Sequence, residues 1–211
     1  VLMNVINEVG GLPYTVYYGN LHSQTNHSDG GGVVSSCTGA QNPQSGAYGP
    51  ADAYAYALGK GLDMLVTSEH NHMFDGSDST NAAASPTTAH NLYQSGLAAA
   101  SNFNAAHPGF LAVYGMEWGV ISNGGHLVTY GIPGLVGWET GSGLWGGSDN
   151  YDIYCWKYDY SRFWQIVNSY PYGFCTLAHP QTGDYNDLFG TALYDVSADS
   201  AIAGVAIRSG S

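Results

Sequence analysis

His22, Gln24, His27 and Asp29 fall within eight positions of the stretch Tyr17-Tyr18-Gly19-Asn20-Leu21-His22-Ser23-Gln24-Thr25-Asn26-His27-Ser28-Asp29-Gly30. Imidazole and carboxylate donors suit hard or borderline divalent cations, and sites for such ions draw ligands from several separate elements. Four more segments carry side chains of the same kind. Ser68-Glu69-His70-Asn71-His72 follows one apolar run, Glu117 closes a second, His126 opens a third and His179-Pro180 follows a fourth. A carboxylate such as Glu117, set in an apolar neighbourhood, needs a partner. With only 4 Lys and Arg in the chain, a metal ion fits that need better than a basic side chain.

The elements that must position these residues are legible from periodicity and breakers. Residues 14–21 alternate and are rich in Tyr and Val, which predicts a first strand ending at His22. After a Gly, Ser and Asn-rich loop at 30–49, Pro50 opens a helix at 50–58 that Gly59 or Gly61 ends. Apolar residues 62–67 predict a buried strand before His70. A polar loop at 73–86 leads into a helix at 88–106, stopped by Pro108-Gly109. Strands are expected at 110–116, 124–130 and 174–178, with a helix at 162–170 and a last apolar run at 201–207 that ends at Arg208 and Ser209 without a ligand. Polar clusters after successive strands predict an α/β barrel with parallel strands and right-handed crossovers, in preference to an open doubly wound sheet.

Composition bounds the function. With 211 residues and 44% apolar content the chain forms one domain, 1–211, with a sizeable core. A formal charge of −12 argues against a nucleic-acid partner, and no apolar run approaches a membrane span. Charged residues at 9%, with 30 Gly and 17 Tyr, suggest a secreted, extracellular or periplasmic protein. The start at Val1 is what a mature form with its signal removed would show, or a product whose start was read from something other than a gene. Cys37, Cys155 and Cys175 lack metal-type spacing; in an oxidising compartment Cys155 and Cys175, which flank one helix, are the expected disulfide, leaving Cys37 free or bridging chains. The sequon Asn26-His27-Ser28 lies inside the candidate site, which argues against glycosylation there.

Taken together, the motifs resemble those of the PHP (polymerase and histidinol phosphatase) superfamily. Leu21-His22-x-Gln24-Thr25-x-x-Ser28-Asp29-Gly30 resembles its first motif, LHxHTxxSDG, and 62–71 its second, a strand ending in TDHN. Gly115-Met116-Glu117-Trp118-Gly119 with Gly125-His126 resembles the third, and Ala178-His179-Pro180 the fourth. The wording is closest to the CehA/McbA-like branch of secreted metallohydrolases. The resemblance implies a distorted (β/α)7 TIM-like barrel with one to three divalent ions, zinc, manganese or iron. It implies hydrolysis of a small-molecule phosphoester or related ester by a metal-activated water, with Glu117 and His70 at the catalytic centre. By the same resemblance His22 and position 24 bind the first metal, Glu117 bridges two, His126 and His179 complete the second, and Asp29 and His70 hold the third. Position 24 is Gln where the family has His, and the family's late Asp-x-His has no counterpart among the 211 residues, so the expected barrel lacks its last strand.

Other histidines have plainer readings. His27 and His72 are either outer partners of the ligands or loop residues, and His90 and His107 are expected at the surface. Tyr and Trp residues of 151–172 are expected in packing more than in an aromatic binding platform. Two function classes follow: a metal-dependent hydrolase, or a degenerate barrel serving as an extracellular structural or self-assembling subunit, a homo-oligomer or polymer. The order of the motifs supports the first; Gln24, the missing last motif and the scarcity of Lys and Arg, which commonly guard sheet edges, support the second.

Overall fold

The computed structural model describes residues 15–33, 46–74, 86–120, 124–138 and 152–206. Cys37, the central parts of the loops 30–49, 73–86 and 133–150, and Ile207, Arg208 and Ser209 lie outside these. The strands are β1 (Gly19–Asn20), β2 (Met64–His70), β3 (Leu111–Val120), β4 (Gly125–Tyr130), β5 (Val136–Gly137), β6 (Ile153–Tyr154), β7 (Phe174–Ala178) and β8 (Ile202–Val205). Six of them form one mixed sheet in the order β1-β2-β3-β4-β7-β8, curved as a half-barrel, while β5 and β6 pair separately. Among the described residues five helical segments accompany them: α1 (Pro50–Gly59), α2 (Pro86–Ala106), α3 (Tyr160–Asn168), α4 (Asp184–Asp187), a single turn in which Tyr185, Asn186 and Asp187 are left-handed, and α5 (Val196–Ala201).

This corrects the expected (β/α)7 barrel. β1, β2 and β3 run parallel, as do β7 and β8, but β4 is antiparallel to both β3 and β7. The cause is the connection between β3 and β4. Only residues 121–124 separate them, whereas a parallel crossover takes about a dozen residues or more, so the chain must turn back on itself. Gly125, at φ 91, opens the returning strand in a conformation that L side chains avoid, and a methyl group there would press on Tyr185 and Asp184. Among the described residues the sheet does not close: β1 and β8 are its two ends. Two extents also differ from expectation. The first strand covers Gly19–Asn20 alone, and β3 runs through Glu117 to Val120 instead of ending at the carboxylate.

The helices pack on one face of the sheet. On that side Leu65 of β2, Ala112, Tyr114, Met116 and Trp118 of β3 and Leu127 of β4 join Tyr54, Ala89, Tyr93, Phe163 and Trp164 in the main core. α3 buries Tyr160, Phe163, Trp164 and Val167, the i, i+3, i+4, i+7 stripe of an amphipathic helix, and the Asp159 side chain caps it by accepting from the Arg162 N–H. Its Phe163 stacks on Trp118 with ring centroids 4.1 Å apart. Gly96 of α2 lies flat on the Tyr114 ring, where any side chain would overlap it. The opposite face holds a smaller cluster of Val66, Val128, Tyr130 and Ala178, and beside this cluster the polar residues gather.

Cys155 and Cys175 are both buried free thiols, which corrects the expected disulfide. Cys155 lies just before α3 and donates to the Asp159 carbonyl, while Cys175 sits in β7 and donates to the Ala201 carbonyl, so flanking the same helix does not bring the sulfurs together. Burial pushes each thiol up to about 12, which leaves both unreactive at neutral pH.

Candidate metal centre

Successive strand residues point to opposite faces, and this alternation selects the centre. Val66 and His70 of β2, Val113 and Glu117 of β3 and His126 and Val128 of β4 share the face away from the helices. His70 pairs with Glu117 across β2 and β3, and His126 pairs with Gly119 on one side and Ala178 on the other. Three strands thus deliver two imidazoles and a carboxylate to one place.

Glu117 is the hub. Its Oε1 lies 2.6 Å from His126 Nδ1 and 3.0 Å from His179 Nε2. Its Oε2 lies 2.7 Å from His22 Nε2, accepts from Gln24 Nε2 at 2.8 Å and is 3.4 Å from His70 Nδ1. Asp29 Oδ1 stands 3.8 Å from His70 Nε2 on the outer side. All seven residues that the motifs single out therefore come together, although not as three separate ligand sets: five of them surround one carboxylate. The side chains of Glu117 and His126 are 1% and 2% exposed, those of His22 and His179 29% and 35%, so the centre opens to solvent on the loop side. His179 itself has φ 34, an unusual value for a non-glycine residue, at the turn between β7 and Pro180.

Burial opposes charge on Glu117, but hydrogen bonds with His126, His179 and His22 outweigh it and hold the carboxyl far below the usual range. His70 moves the other way for an imidazole, because burial lowers it more than Glu117 and Asp29 raise it. His179, bonded to Glu117, is raised.

The donors fit a metal ion. His70, Glu117 and His126 each offer one ligand atom, and these atoms all lie within 4.8 Å of one another. His70 Nδ1 is fully buried and has no hydrogen-bond partner, which leaves its lone pair or its proton unsatisfied unless something else occupies the space. Among the described residues, the close acid–base pairs all use histidine. Two imidazoles and a carboxylate form a mixed nitrogen and oxygen set suited to borderline divalent ions.

Sequence reasoning gave no role to Glu69, which is wholly buried on the opposite face of β2. Its carboxylate accepts from the Thr25 N–H at 2.9 and 3.1 Å, from Thr25 Oγ1 at 2.6 Å and from Ser28 Oγ at 2.6 Å. Burial pushes it up to about 7 against those hydrogen bonds. The available signal was the composition itself: a strand carboxylate in a chain nearly without Lys and Arg must find neutral donors, and Thr25 and Ser28 are such donors. His27, left open between two readings, binds Tyr114 Oη through Nδ1 at 2.7 Å, and burial lowers it to about 4. His72 stands beside His70 and stacks on Trp138, forming a wall of the centre. His90 is half-exposed against Asp152, and His107 is exposed and lies on Phe103, both at the surface as expected. Of the later aromatics, Tyr160 and Trp164 are buried in the core, whereas Trp156, Tyr158 and Tyr172 are exposed.

No helix among the described residues is long and apolar enough to cross a membrane. Compared with family models, with curated proteins and with solved structures, the chain finds no match.

Proposed function

We propose that the protein is a metal-dependent hydrolase of the PHP type, acting on phosphoesters or related esters. The observation that carries this reading is the convergence of His22, Gln24, His70, His126 and His179 on the buried carboxylate of Glu117. In this reading one ion is held by His70, Glu117 and His126, which the motif resemblance divides between a second and a third ion, and zinc, manganese or iron, one to three per chain, all suit donors of this type. When bound, a divalent ion supplies Lewis acidity and a water that ionises near neutral pH. The chain's own residues do the rest. Glu117 keeps its negative charge in a dry place and divides its two oxygens between two groups of partners. If Nδ1 of His70 held the ion, the charge of Asp29, 3.8 Å from Nε2, would favour the proton on that nitrogen. The exposed edge at His22 and His179 is the side from which substrate enters.

Metal analysis of the purified protein tests the first half: at least one tightly held divalent ion per chain is expected. Turnover of a bis-aryl phosphate and an aryl carboxylic ester, lost on chelation and restored by manganese or zinc, tests the second. A metal-free protein whose stability is indifferent to added ions sinks the reading.

A second reading, a structural subunit that assembles with copies of itself, draws on the two ends of the sheet and on exposed apolar residues such as Leu193 and Tyr194, 82% and 75% accessible. Sedimentation separates the two readings. A metal-poor, inactive polymer favours assembly, and a monomer with metal-dependent turnover favours the enzyme.

A further inference from the structure

Glu69 has no path to the metal centre of its own, because strand alternation turns it to the helix side while His70 faces the ions' side. It nevertheless touches the loop on which His22, Gln24 and Asp29 stand. Thr25 and Ser28, which sit between those three residues, direct one backbone and two side-chain donors at its carboxylate. The loop then closes on the same point, since the Ser28 and Gly30 N–H groups both donate to the Thr25 carbonyl. Further ties to β2 and β3 are as short but run through the part-buried Ser23 and His27: Ser23 Oγ donates to the Val66 carbonyl, the Ser68 N–H to the Ser23 carbonyl, and His27 meets Tyr114. All three residues of the Glu69 contact, Thr25, Ser28 and Glu69 itself, are wholly buried, at 1%, 0% and 0% exposure.

We infer that Glu69 is a positioning residue of the metal centre, a carboxylate clamp that fixes the loop of His22, Gln24 and Asp29 against β2 so that these side chains meet Glu117 and His70. The inference rests on the metal reading above and assigns to Glu69 a role in ion affinity that its place on the opposite face of β2 from His70 conceals. A buried carboxylate with three neutral donors and no basic partner has an unusual chemistry for a purely structural joint, because hydroxyl or amide groups make the same joint without desolvating a carboxyl. When ionised, the carboxylate offers acceptors only, so each of the loop donors around it is drawn inward.

The test compares cobalt or zinc affinity, by competition with a chromophoric chelator, in the native chain, Glu69→Ala, Glu69→Gln and the loop-side variant Thr25→Val/Ser28→Ala. Glu69→Ala is expected to weaken the ion by up to about tenfold, the loss expected from removing His22 itself and the low end of what loss of outer partners of metal ligands costs, and the loop-side variant by a similar factor. Glu69→Gln keeps an oxygen for Thr25 but places an amide donor against a second donor, so an intermediate loss is expected. A double-mutant cycle with His22→Ala supplies the readout that simple destabilisation does not move: with the loop ligand gone, Glu69→Ala has little left to cost. Equal losses with and without His22, or unchanged affinity in both Glu69→Ala and the loop-side variant, overturn the inference while leaving the metal reading intact. Should the native chain bind no ion, the metal reading fails. Amide exchange then decides on the clamp, which stands if Glu69→Ala exposes the amides of 25–30 and falls if their protection is unchanged.

Discussion

His70, Glu117 and His126 stand on three paired strands, whereas His22, Gln24 and Asp29 stand on a loop that side chains hold in place. The strand-borne set has Glu117 and His126 buried and His70 part-buried, and it is fixed by backbone registers such as His70 to Glu117. The loop-borne set is more exposed and depends on Glu69, Ser23 and His27 for its place. The contrast separates two tasks that one ligand list conflates. Strands provide an ion's permanent seat, while the loop provides contacts that can be tuned or lost, and Gln24 in place of the imidazole expected from the motif lies on the loop.

The strongest way to break the comparison is at its shared member. Glu117→Ala removes the one carboxylate that both sets address, and bound metal is expected to fall from at least one ion per chain to none detectable. Elemental analysis after gel filtration checks it. Circular dichroism should show the fold retained, because the neighbouring imidazoles can stay neutral.

Next in size is the asymmetry between the sets. His126→Ala should weaken zinc or manganese by roughly a hundredfold or more, and His22→Ala by about tenfold, since a buried strand ligand is not replaced by water as easily as one at the open edge. Gln24→His sharpens the same contrast from the other side, with affinity and any ester turnover expected to rise by up to about tenfold as an imidazole replaces a carboxamide. Equal losses for His22→Ala and His126→Ala would remove the distinction.

How far the sequence disclosed these two sets follows from what kind of signal each used. The strands behind His70, Glu117, His126 and His179 were legible because apolar runs ended or began at polar residues, and the helices because Pro50, Pro108 and the Ala-rich periodicity framed them. The barrel was not, because it assumed a crossover after Glu117 where β3 continues to Val120 and turns straight back into β4. Strand direction depends on the length of a connection, and the expected strands at 110–116 and 124–130 already left too few residues between them for a parallel crossover. Glu69 was passed over for a related reason: beside His70 in sequence, it is on the other face in space.

A smaller effect probes how the helices support the loop. Gly96→Ala should overpack against the Tyr114 ring and cost about 1–3 kcal/mol in urea unfolding. Because Tyr114 Oη holds His27, amide protection around 26–28 should drop with it, whereas metal affinity carried by the strand set should change little. A variant as stable as the native chain would mean that the ring is free to move aside.

The smallest expected change in the native chain comes from two groups at the loop–sheet joint that titrate in opposite senses. His27 is lowered from 6.5 to about 4, so between those values the unfolded chain binds a proton that the folded one refuses, and stability falls as pH drops through that window. Glu69 is raised from 4.5 to about 7, so there the folded chain holds the proton, and stability rises as pH drops from about 7 to 4.5. Over the shared range the two slopes oppose each other, and metal-free native protein should show a nearly flat stability profile from these groups, with a net change of about 1 kcal/mol or less. The single variants unmask the slopes. His27→Gln should become more stable on acidification from pH 7 to 5, and Glu69→Gln less stable, each by roughly 1–3 kcal/mol in chelator-containing urea titrations. Parallel profiles for the two variants would show that the loop and the strand behind it do not carry opposed protons, and that the joint is insensitive to pH for another reason.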